Sequence, residues 1–241
     1  MATWVSHLII ADKVLEKLPH LLRHEFCVGN IAPDCNIEND DFTDFTPSRE
    51  LTHWMQGSVK MLDDSERFLD EFVRRKNELS AAEESFLLGY YAHLITDAEF
   101  RIFICDEERL RASWRRIKAA PALKEKTRNM PETWENVKAL FPKKERMKDI
   151  YSIEKKYLDI HKESGYITEI LPLKVFPDYI DYLPQGAIVR KINVMGYMPQ
   201  EEQRKFPYIV ISEEEYHLFL EKAAERVADG IRRYCTAAGR A

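Results

Sequence analysis

The pair His93 and Asp97 is the point in this sequence where residue type and spacing most directly suggest chemistry. The two residues are four apart in a segment with helical periodicity, so both side chains are expected on one helix face. That face is otherwise apolar and aromatic, and a carboxylate there is costly unless it has a partner. The pair is therefore either a His–Asp hydrogen bond within a core or part of a metal site.

Three further residues have the same two interpretations. His7 lies in the apolar stripe of an N-terminal helix, His53 lies at the start of another helical segment, and Asp34 ends the segment Gly-Asn-Ile-Ala-Pro-Asp. Taken alone, each has a structural interpretation, as a core histidine or as a turn or capping aspartate. Taken with His93 and Asp97, they place imidazole and carboxylate groups, the usual nitrogen and oxygen ligands of zinc, in apolar surroundings. A carboxylate has two oxygens and can bridge two metals, and we predict that role for Asp97.

The first hundred residues resemble the zinc-dependent phospholipase C family, which is related to the S1/P1 nucleases. The matching pieces are residues 4–7, 29–34, 52–53 and 89–97. The resemblance implies a mostly helical fold with zinc at its centre.

The resemblance also implies roles for the five candidate residues. The positions matching His53, His93 and Asp97 hold one zinc in that family. The position matching His7 holds a second zinc, which the Asp97 equivalent bridges. The Asp34 equivalent either coordinates metal or acts as a base on the attacking water.

Two departures from the family pattern reduce the expected number of metals. Secreted members begin at a tryptophan whose amine and carbonyl bind metal, whereas Trp4 here has three residues before it. Members also follow the aspartate with two more histidines and a glutamate that hold another zinc, whereas no histidine follows Asp97 until His161. We therefore expect one or two zinc ions per chain, held by His7, Asp34, His53, His93 and Asp97.

The elements that must position these residues are mostly helical. Apolar periodicity predicts helices over 3–19, 48–75, 80–104, 107–118, 131–140 and 144–163, and a closing helix from Ser212 to about Tyr234. Capping boxes at Ser80 with Glu83 and at Ser212 with Glu215 mark two helix starts. Gly89 has no side chain to block a neighbouring helix, so close approach of another element is expected there.

Other segments are predicted to be irregular or extended. Residues 26–47 are predicted as a loop, and β-branched residues predict short strands over 186–196 and 207–211. The predicted fold class is mainly α: a single multi-helical phospholipase C/P1 nuclease-like domain over 1–241, with a small β-containing insertion near 186–211. Residues 165–211 are predicted to form a flap or insertion.

Composition excludes several classes of protein. The 241 residues are 45% hydrophobic and 32% charged, which excludes a disordered chain, and the net charge of −5 argues against a broad nucleic-acid-binding surface. Four scattered cysteines without a C-x-x-C pair argue against a thiolate zinc site and favour a reducing compartment. No apolar run is long enough to be a transmembrane segment, and Asp12 interrupts the apolar start, so we expect a cytoplasmic protein.

The candidate metal ligands and the family resemblance together imply a metal-dependent hydrolase of a phosphoester or phosphodiester. Asp34 is the predicted catalytic residue, and the substrate is a small anionic phosphoester or a phospholipid. Arg101 either contacts phosphate or forms a surface ion pair with Glu99 or Asp106, and Tyr90 and Trp54 either line the pocket or pack in the core. The alternatives are a zinc-binding helical protein with a degenerate site and no hydrolase activity, and a helical interaction module with core histidines only.

Overall fold

The computed structural model of the chain describes residues 2–39, 41, 43–76, 78–201 and 203–237. Its α-helices are α1 (Trp4–Lys17), α2 (Arg23–Gly29), α3 (Arg49–Thr52), α4 (Leu62–Leu69), α5 (Ala81–Cys105), α6 (Glu107–Ala119), α7 (Lys124–Thr127), α8 (Trp134–Leu140), α9 (Lys143–Ile160), α10 (Ala187–Met195) and α11 (Glu213–Ala237). Short 3₁₀ turns occupy Ala32–Asp34 and Pro121–Leu123, and π-helical turns occupy Asp70–Arg74 and Tyr166–Ile170. The antiparallel strands β1 (Ile37–Glu38) and β2 (Phe45–Thr46) form a small hairpin. The predicted mainly α fold class is confirmed.

Helix α5 is the central element. It begins at the predicted capping box, where the Ser80 hydroxyl accepts the Glu83 N–H and the Glu83 carboxylate accepts the Ser80 N–H. Residues 85–100 of this helix are all buried, because α1, α2, α4 and α11 pack around it. A helix buried on every side is typical of the centre of a helical domain, and His93 and Asp97 lie in its middle.

Helices α2 and α5 cross with their backbones in contact. A Cβ atom on Gly29 would lie 2.0 Å from the Phe86 carbonyl oxygen, and one on Gly89 would lie 2.2 Å from the Phe26 carbonyl oxygen. Neither position has room for a side chain, so the close approach expected at Gly89 is present. The crossing brings Asn30, just after α2, next to His93 on α5.

The predicted strand over 186–196 is wrong, because this segment is helix α10. Gly186 precedes the helix with a φ of 70°, a conformation that glycine adopts readily. Ile188 and Ile192 are four residues apart and both buried, so the segment buries one helical face. Packing of that face overrides the preference of β-branched residues for strands.

The predicted strand over 207–211 is also wrong. Ile209, Val210 and Ile211 are buried in an irregular segment. The carbonyl of Ile209 accepts from Arg116 and that of Val210 accepts from Arg109, Ser113 and Arg116. Side chains of α6 thus take the place of a neighbouring strand.

The predicted loop over 26–47 and the single helical stretch over 48–75 also need correction. The first contains the end of α2, a 3₁₀ turn and the hairpin, and these are so short that sequence periodicity does not reveal them. The second contains α3, an irregular segment 53–61, α4 and a π-helical turn.

The other predicted helices are present. They are those over 3–19, 80–104, 107–118, 131–140 and 144–163. The closing helix is also present, with its Ser212–Glu215 capping box.

The hairpin is fastened to helix α10 by a buried lysine. Lys191 is 4% exposed, and its ammonium donates to the Asn36 carbonyl at 2.8 Å and to the Glu38 carboxylate at 2.9 Å. Arg190 adds a second ion pair to Glu38 at 3.2 Å. The segment that follows Asp34 is therefore tied to a helix more than a hundred residues further along the chain.

Two further sequence features can be checked in the structure. Cys27, Cys35, Cys105 and Cys235 are all free thiols. Among the helices of the described residues, none combines the length and apolarity needed to span a bilayer.

Candidate metal centre

The five residues singled out in the sequence come together in the interior. His7 comes from α1, Asp34 from the 3₁₀ turn Ala32–Asp34, His53 from the C-terminal cap of α3, and His93 and Asp97 from α5. All five are buried, and Asp34 is the most exposed at 6%. They form two groups that share His93: His7, His93 and Asp97 in one, and Asp34, His53 and His93 in the other, with ligand atoms within 4.8 Å of one another in each.

Asp97 faces all three histidines. Its Oδ2 lies 3.5 Å from His93 Nε2 and 3.6 Å from His53 Nε2. Its Oδ1 lies 3.7 Å from His7 Nε2. Asp34 completes the arrangement from the other side, with Oδ1 3.4 Å from His53 Nε2.

The backbone fixes the tautomers of His53 and His93. The Nδ1 atom of His93 lies 2.8 Å from the Asn30 carbonyl, and the Nδ1 atom of His53 lies 3.1 Å from the Arg49 carbonyl. A carbonyl only accepts, so the hydrogen is assigned to each Nδ1, and in its neutral form each ring has a lone pair on Nε2. Such outer contacts are typical of metal-binding histidines.

The Nε2 atoms of these two histidines face each other. His53 Nε2 and His93 Nε2 are 3.3 Å apart, and carboxylate oxygens of Asp34 and Asp97 lie around them. With both rings neutral and their hydrogens on Nδ1, these acceptors would meet without a proton between them, and a cation among them would remove the repulsion.

His7 adds two unsatisfied ring nitrogens. Neither Nδ1 nor Nε2 has a hydrogen-bond partner among the described residues, and the ring stacks on His93 with centroids 3.9 Å apart and planes 2° apart. Complete burial, with a contribution from His93, lowers the pKa of His7 to about 4. The ring is therefore neutral near pH 7, which is the form that binds a metal.

Both aspartates are held in the ionised form. Burial alone would raise the pKa of Asp97, but the Lys60 ammonium, His7 and His93 outweigh it and hold the pKa well below its usual range. Lys60 contacts Asp97 Oδ2 directly, and the Ala2 N–H donates to Oδ1 at 2.9 Å.

Asp34 shows the same balance of effects. Burial raises its pKa, whereas His53 and His93 lower it by more, so the pKa lies far below the ordinary value. The indole N–H of Trp4 donates to Asp34 Oδ2 at 3.2 Å. Three buried imidazoles, two ionised carboxylates and the unpaired ring nitrogens of His7 together fit a zinc site.

Residues 6–99 match the family model described as zinc dependent phospholipase C. The matched segment contains all five candidate residues and covers about two-fifths of the chain. The resemblance noted in the sequence is thereby confirmed for this segment. No curated protein and no solved structure matches the chain.

Sequence reasoning missed Lys60, whose ammonium contacts the Asp97 carboxylate. It lies in the irregular segment 53–61, where no periodicity indicates which way a side chain points. Arg101 was considered as a phosphate contact or a partner of Glu99 or Asp106. Its guanidinium lies 3.7 Å from the sulfur of Met61, while Glu99 pairs with Arg226 and Asp106 caps α6, so the described residues show no ion pair of Arg101 with Glu99 or Asp106. The phosphate contact stays a prediction.

Tyr90 and Trp54 support the site from the core. The Tyr90 hydroxyl donates to the Thr52 carbonyl, and the ring stacks on Phe68 at 4.4 Å. Trp54 packs edge-on against Phe68 at 5.8 Å, directly after His53. These contacts hold the backbone that carries His53.

A cavity of about 510 Å³ opens beside Asp34 and Trp4. Helix α9 forms one wall, and Met195, Tyr197, Pro199 and Gln200 from the segment predicted as a flap line another part. The candidate metal centre therefore lies next to a space large enough for an organic ligand.

Proposed function

We propose that this protein is a zinc-dependent hydrolase of phosphoesters or phosphodiesters. The observation that carries the proposal is the buried meeting of the Nε2 atoms of His53 and His93, 3.3 Å apart, between the carboxylates of Asp34 and Asp97. The match of residues 6–99 to a zinc-dependent phospholipase C family supports the same conclusion.

The proposed ligands divide around the shared histidine. Asp34, His53 and His93 would hold one ion, and His7 with Asp97 would hold a second. Asp97 is the proposed bridge, because its two oxygens face His7 on one side and His53 and His93 on the other. One or two ions per chain are expected.

The chain's own residues would divide the work of hydrolysis. Zinc, when bound, supplies Lewis acidity toward a phosphoryl oxygen and makes water acidic enough to ionise near neutral pH. Asp34 is the proposed base: Trp4 donates to its Oδ2 and Arg49 lies 3.7 Å from its Oδ1, so the carboxylate is held in place, where it would orient the attacking water and accept its proton. Lys60 adds positive charge next to Asp97, where it would favour an anionic substrate.

Residues 165–211 are proposed to act as a flap over this site. Met195, Tyr197, Pro199 and Gln200 line the cavity beside Asp34, so movement of this segment would change access to it. Segments of this kind commonly set substrate specificity.

The test is zinc content measured together with turnover. We expect about one to two equivalents of zinc in untagged protein, and zinc-dependent hydrolysis of bis-p-nitrophenyl phosphate that chelation abolishes. His93→Ala should lose most of the metal. Zinc without hydrolysis would favour the zinc-binding protein with a degenerate site, and protein that does not take up zinc would favour the interaction module.

A further inference from the structure

The cavity beside Asp34 runs along one face of helix α9. Lys143, Arg146, Ile150 and Glu154 all line it, at intervals of three or four residues that place them on the same side of the helix. Arg146 and Glu154 are eight residues apart, which separates their backbones by about 12 Å along the helix axis. The cavity is therefore long, and its two ends present different side chains of α9.

The acidic end of the cavity lies next to the candidate metal centre. The hydroxyls of Thr3 and Ser6 donate to the Glu154 carboxylate. Trp4, which lies between these two residues in the sequence, donates from its indole N–H to Asp34. Helix α1 thus holds Glu154 and Asp34 at the same end of the cavity.

The other end of the cavity presents two cations, Arg146 and Lys143. The Arg146 guanidinium donates to the Phe141 carbonyl at 2.6 Å and lies 5.3 Å from the centroid of the Trp134 ring. In the described part of the chain, no acidic side chain forms an ion pair with either cation. An arginine has five N–H donors, so several remain for a ligand.

Burial of Arg146 without a counter-charge has an energetic cost. Desolvation lowers the pKa of this guanidinium, and no acidic group of the described residues opposes the effect. A bound anion would supply both the missing charge and the missing hydrogen-bond acceptors.

Apolar side chains line the cavity between these charged groups. Met147 and Ile150 lie between Arg146 and Glu154 on α9, and Phe100 and Ile104 of α5 also line the wall. Such a wall favours burial of the apolar part of a ligand. The cavity therefore suits an elongated molecule that has an apolar middle and an anionic group at the end near Arg146.

We propose that Lys143 and Arg146 form an anion-binding subsite, and that the cavity accepts phosphoesters whose organic group ends in a second phosphate. The first phosphoryl group would lie toward Asp34, which rests on the proposed function, and the second would lie about 12 Å away. Arg146 offers paired N–H donors that match two oxygens of a phosphate, and Lys143 adds a second positive charge for a dianion.

Three phosphonates, which resist hydrolysis, test this subsite. Octane bisphosphonate has an anionic group at each end of a chain long enough to span the cavity. Octyl phosphonate lacks the second anionic group, and butane bisphosphonate has both groups on a chain that is too short. Isothermal titration calorimetry on the zinc-loaded protein should show roughly 10- to 100-fold tighter binding of octane bisphosphonate than of either other probe, as expected for charge-assisted hydrogen bonds.

The matched variants are Lys143→Gln and Lys144→Gln. Both remove one positive charge from the exposed first turn of α9, but Lys144 does not line the cavity. Lys143→Gln should weaken binding of octane bisphosphonate by about two- to fivefold, and Lys144→Gln should not change it. Arg146→Gln should bring octane bisphosphonate and octyl phosphonate to within about threefold of each other, because the paired donors are lost. All three variants should keep their zinc.

Several results would overturn this assignment. Equal binding of octane bisphosphonate and octyl phosphonate by the wild type would do so without any variant, and so would equally tight binding of butane bisphosphonate. A preference that persists unchanged in both Lys143→Gln and Arg146→Gln would place the second anionic group elsewhere. Preference for octane bisphosphonate without hydrolysis of bis-p-nitrophenyl phosphate would refute the proposed function alone, and hydrolysis without this preference would refute the anion-binding subsite alone.

Discussion

Asp97 is the residue on which most of the proposed centre depends. It faces three histidines and also accepts from the Ala2 N–H and from Lys60. Asp97→Asn removes a charge and an oxygen ligand from both proposed ions, so this variant should lose at least one metal and its phosphodiesterase activity.

Asp34→Asn provides the contrast. It leaves the proposed bridge intact and should keep more metal, with turnover lower by about 10²–10⁴-fold for loss of a general base. Zinc titration followed by a bis-p-nitrophenyl phosphate assay distinguishes the two variants. Full zinc occupancy in Asp97→Asn would rule out the bridge.

Lys60 should oppose metal binding. Its ammonium contacts the same Asp97 oxygen that faces His53 and His93, so an ion bound there must share or displace that contact. Lys60→Met should raise the affinity for zinc by about tenfold or more, because a positive charge a few ångströms from the ion is removed. Competition with a chromogenic chelator measures the change.

Lys76→Met is the control for this prediction, since Lys76 lies over the Phe72 ring, away from Asp97. Equal zinc affinity in wild type and Lys60→Met would show that Lys60 swings away from Asp97 at no cost.

At this scale, sequence reasoning found the residues that chemistry makes conspicuous and missed those defined by position. His7, Asp34, His53, His93 and Asp97 are polar groups in apolar surroundings, and the structure brings all five together. Lys60 lies in an irregular segment that has no periodicity to read. The burial of Glu154 could have been predicted, because it lies next to Ile153 and four residues before Leu158 on the buried face of α9.

At the scale of elements, the crossing of α2 and α5 controls the position of His93. Gly89→Ala would place a methyl group 2.2 Å from the Phe26 carbonyl oxygen, so α2 must shift and carry the Asn30 carbonyl away from His93. We expect a loss of stability of roughly 1–3 kcal/mol and weaker zinc binding. Chemical denaturation of the metal-free protein and a zinc titration measure the two effects.

Gly57→Ala is the matched control for the crossing. A Cβ atom at Gly57 would meet no atom of the described residues within 4 Å, so this variant should change stability by less than about 0.5 kcal/mol. Unaltered zinc binding in Gly89→Ala would mean that His93 does not depend on the crossing.

The elements that were predicted correctly have strong local signals. The start of α5 was readable because Ser80 and Glu83 cap it through side chains close in sequence. Helix α10 was misread because its β-branched residues favour strands, while the helical conformation depends on burying Ile188 and Ile192 against distant parts of the chain.

At the scale of the whole molecule, the proposed metal joins segments that are far apart in sequence. The ligands come from α1, the 3₁₀ turn, the end of α3 and α5, so removal of the ion should loosen the fold as a unit. Free zinc at a hundredfold excess over Kd adds about 2.7 kcal/mol of stability. For a chain of this size, chelation should therefore lower Tm by roughly 5–10 °C. An unchanged Tm after confirmed metal loss would contradict this.

The buried carboxylate of Glu154 should make the stability of the fold depend on pH. Burial outweighs the hydrogen bonds from Ser6, Thr3 and Tyr216 and raises the pKa of Glu154 from 4.5 to about 7. Between these values the native state holds a proton that the unfolded chain has released, so this group lowers stability as pH rises through that range. Above pH 7 the loss is complete, at roughly 3 kcal/mol.

Urea unfolding of the metal-free protein tests this dependence. The stability of Glu154→Gln relative to wild type should increase between pH 4 and pH 8 by about 3 kcal/mol at most. A difference that does not vary with pH would contradict a raised pKa for Glu154.

The ion pair between Lys191 and Glu38 links helix α10 to strand β1, two segments that are far apart in the sequence. Lys191 is held by both the Asn36 carbonyl and the Glu38 carboxylate, and Asn36 follows Asp34 by only two residues. Helix α10 ends at Met195, in the wall of the cavity. Any displacement that lifts α10 must therefore pull on the backbone next to Asp34, so that opening of the cavity and alignment of the proposed base are mechanically coupled.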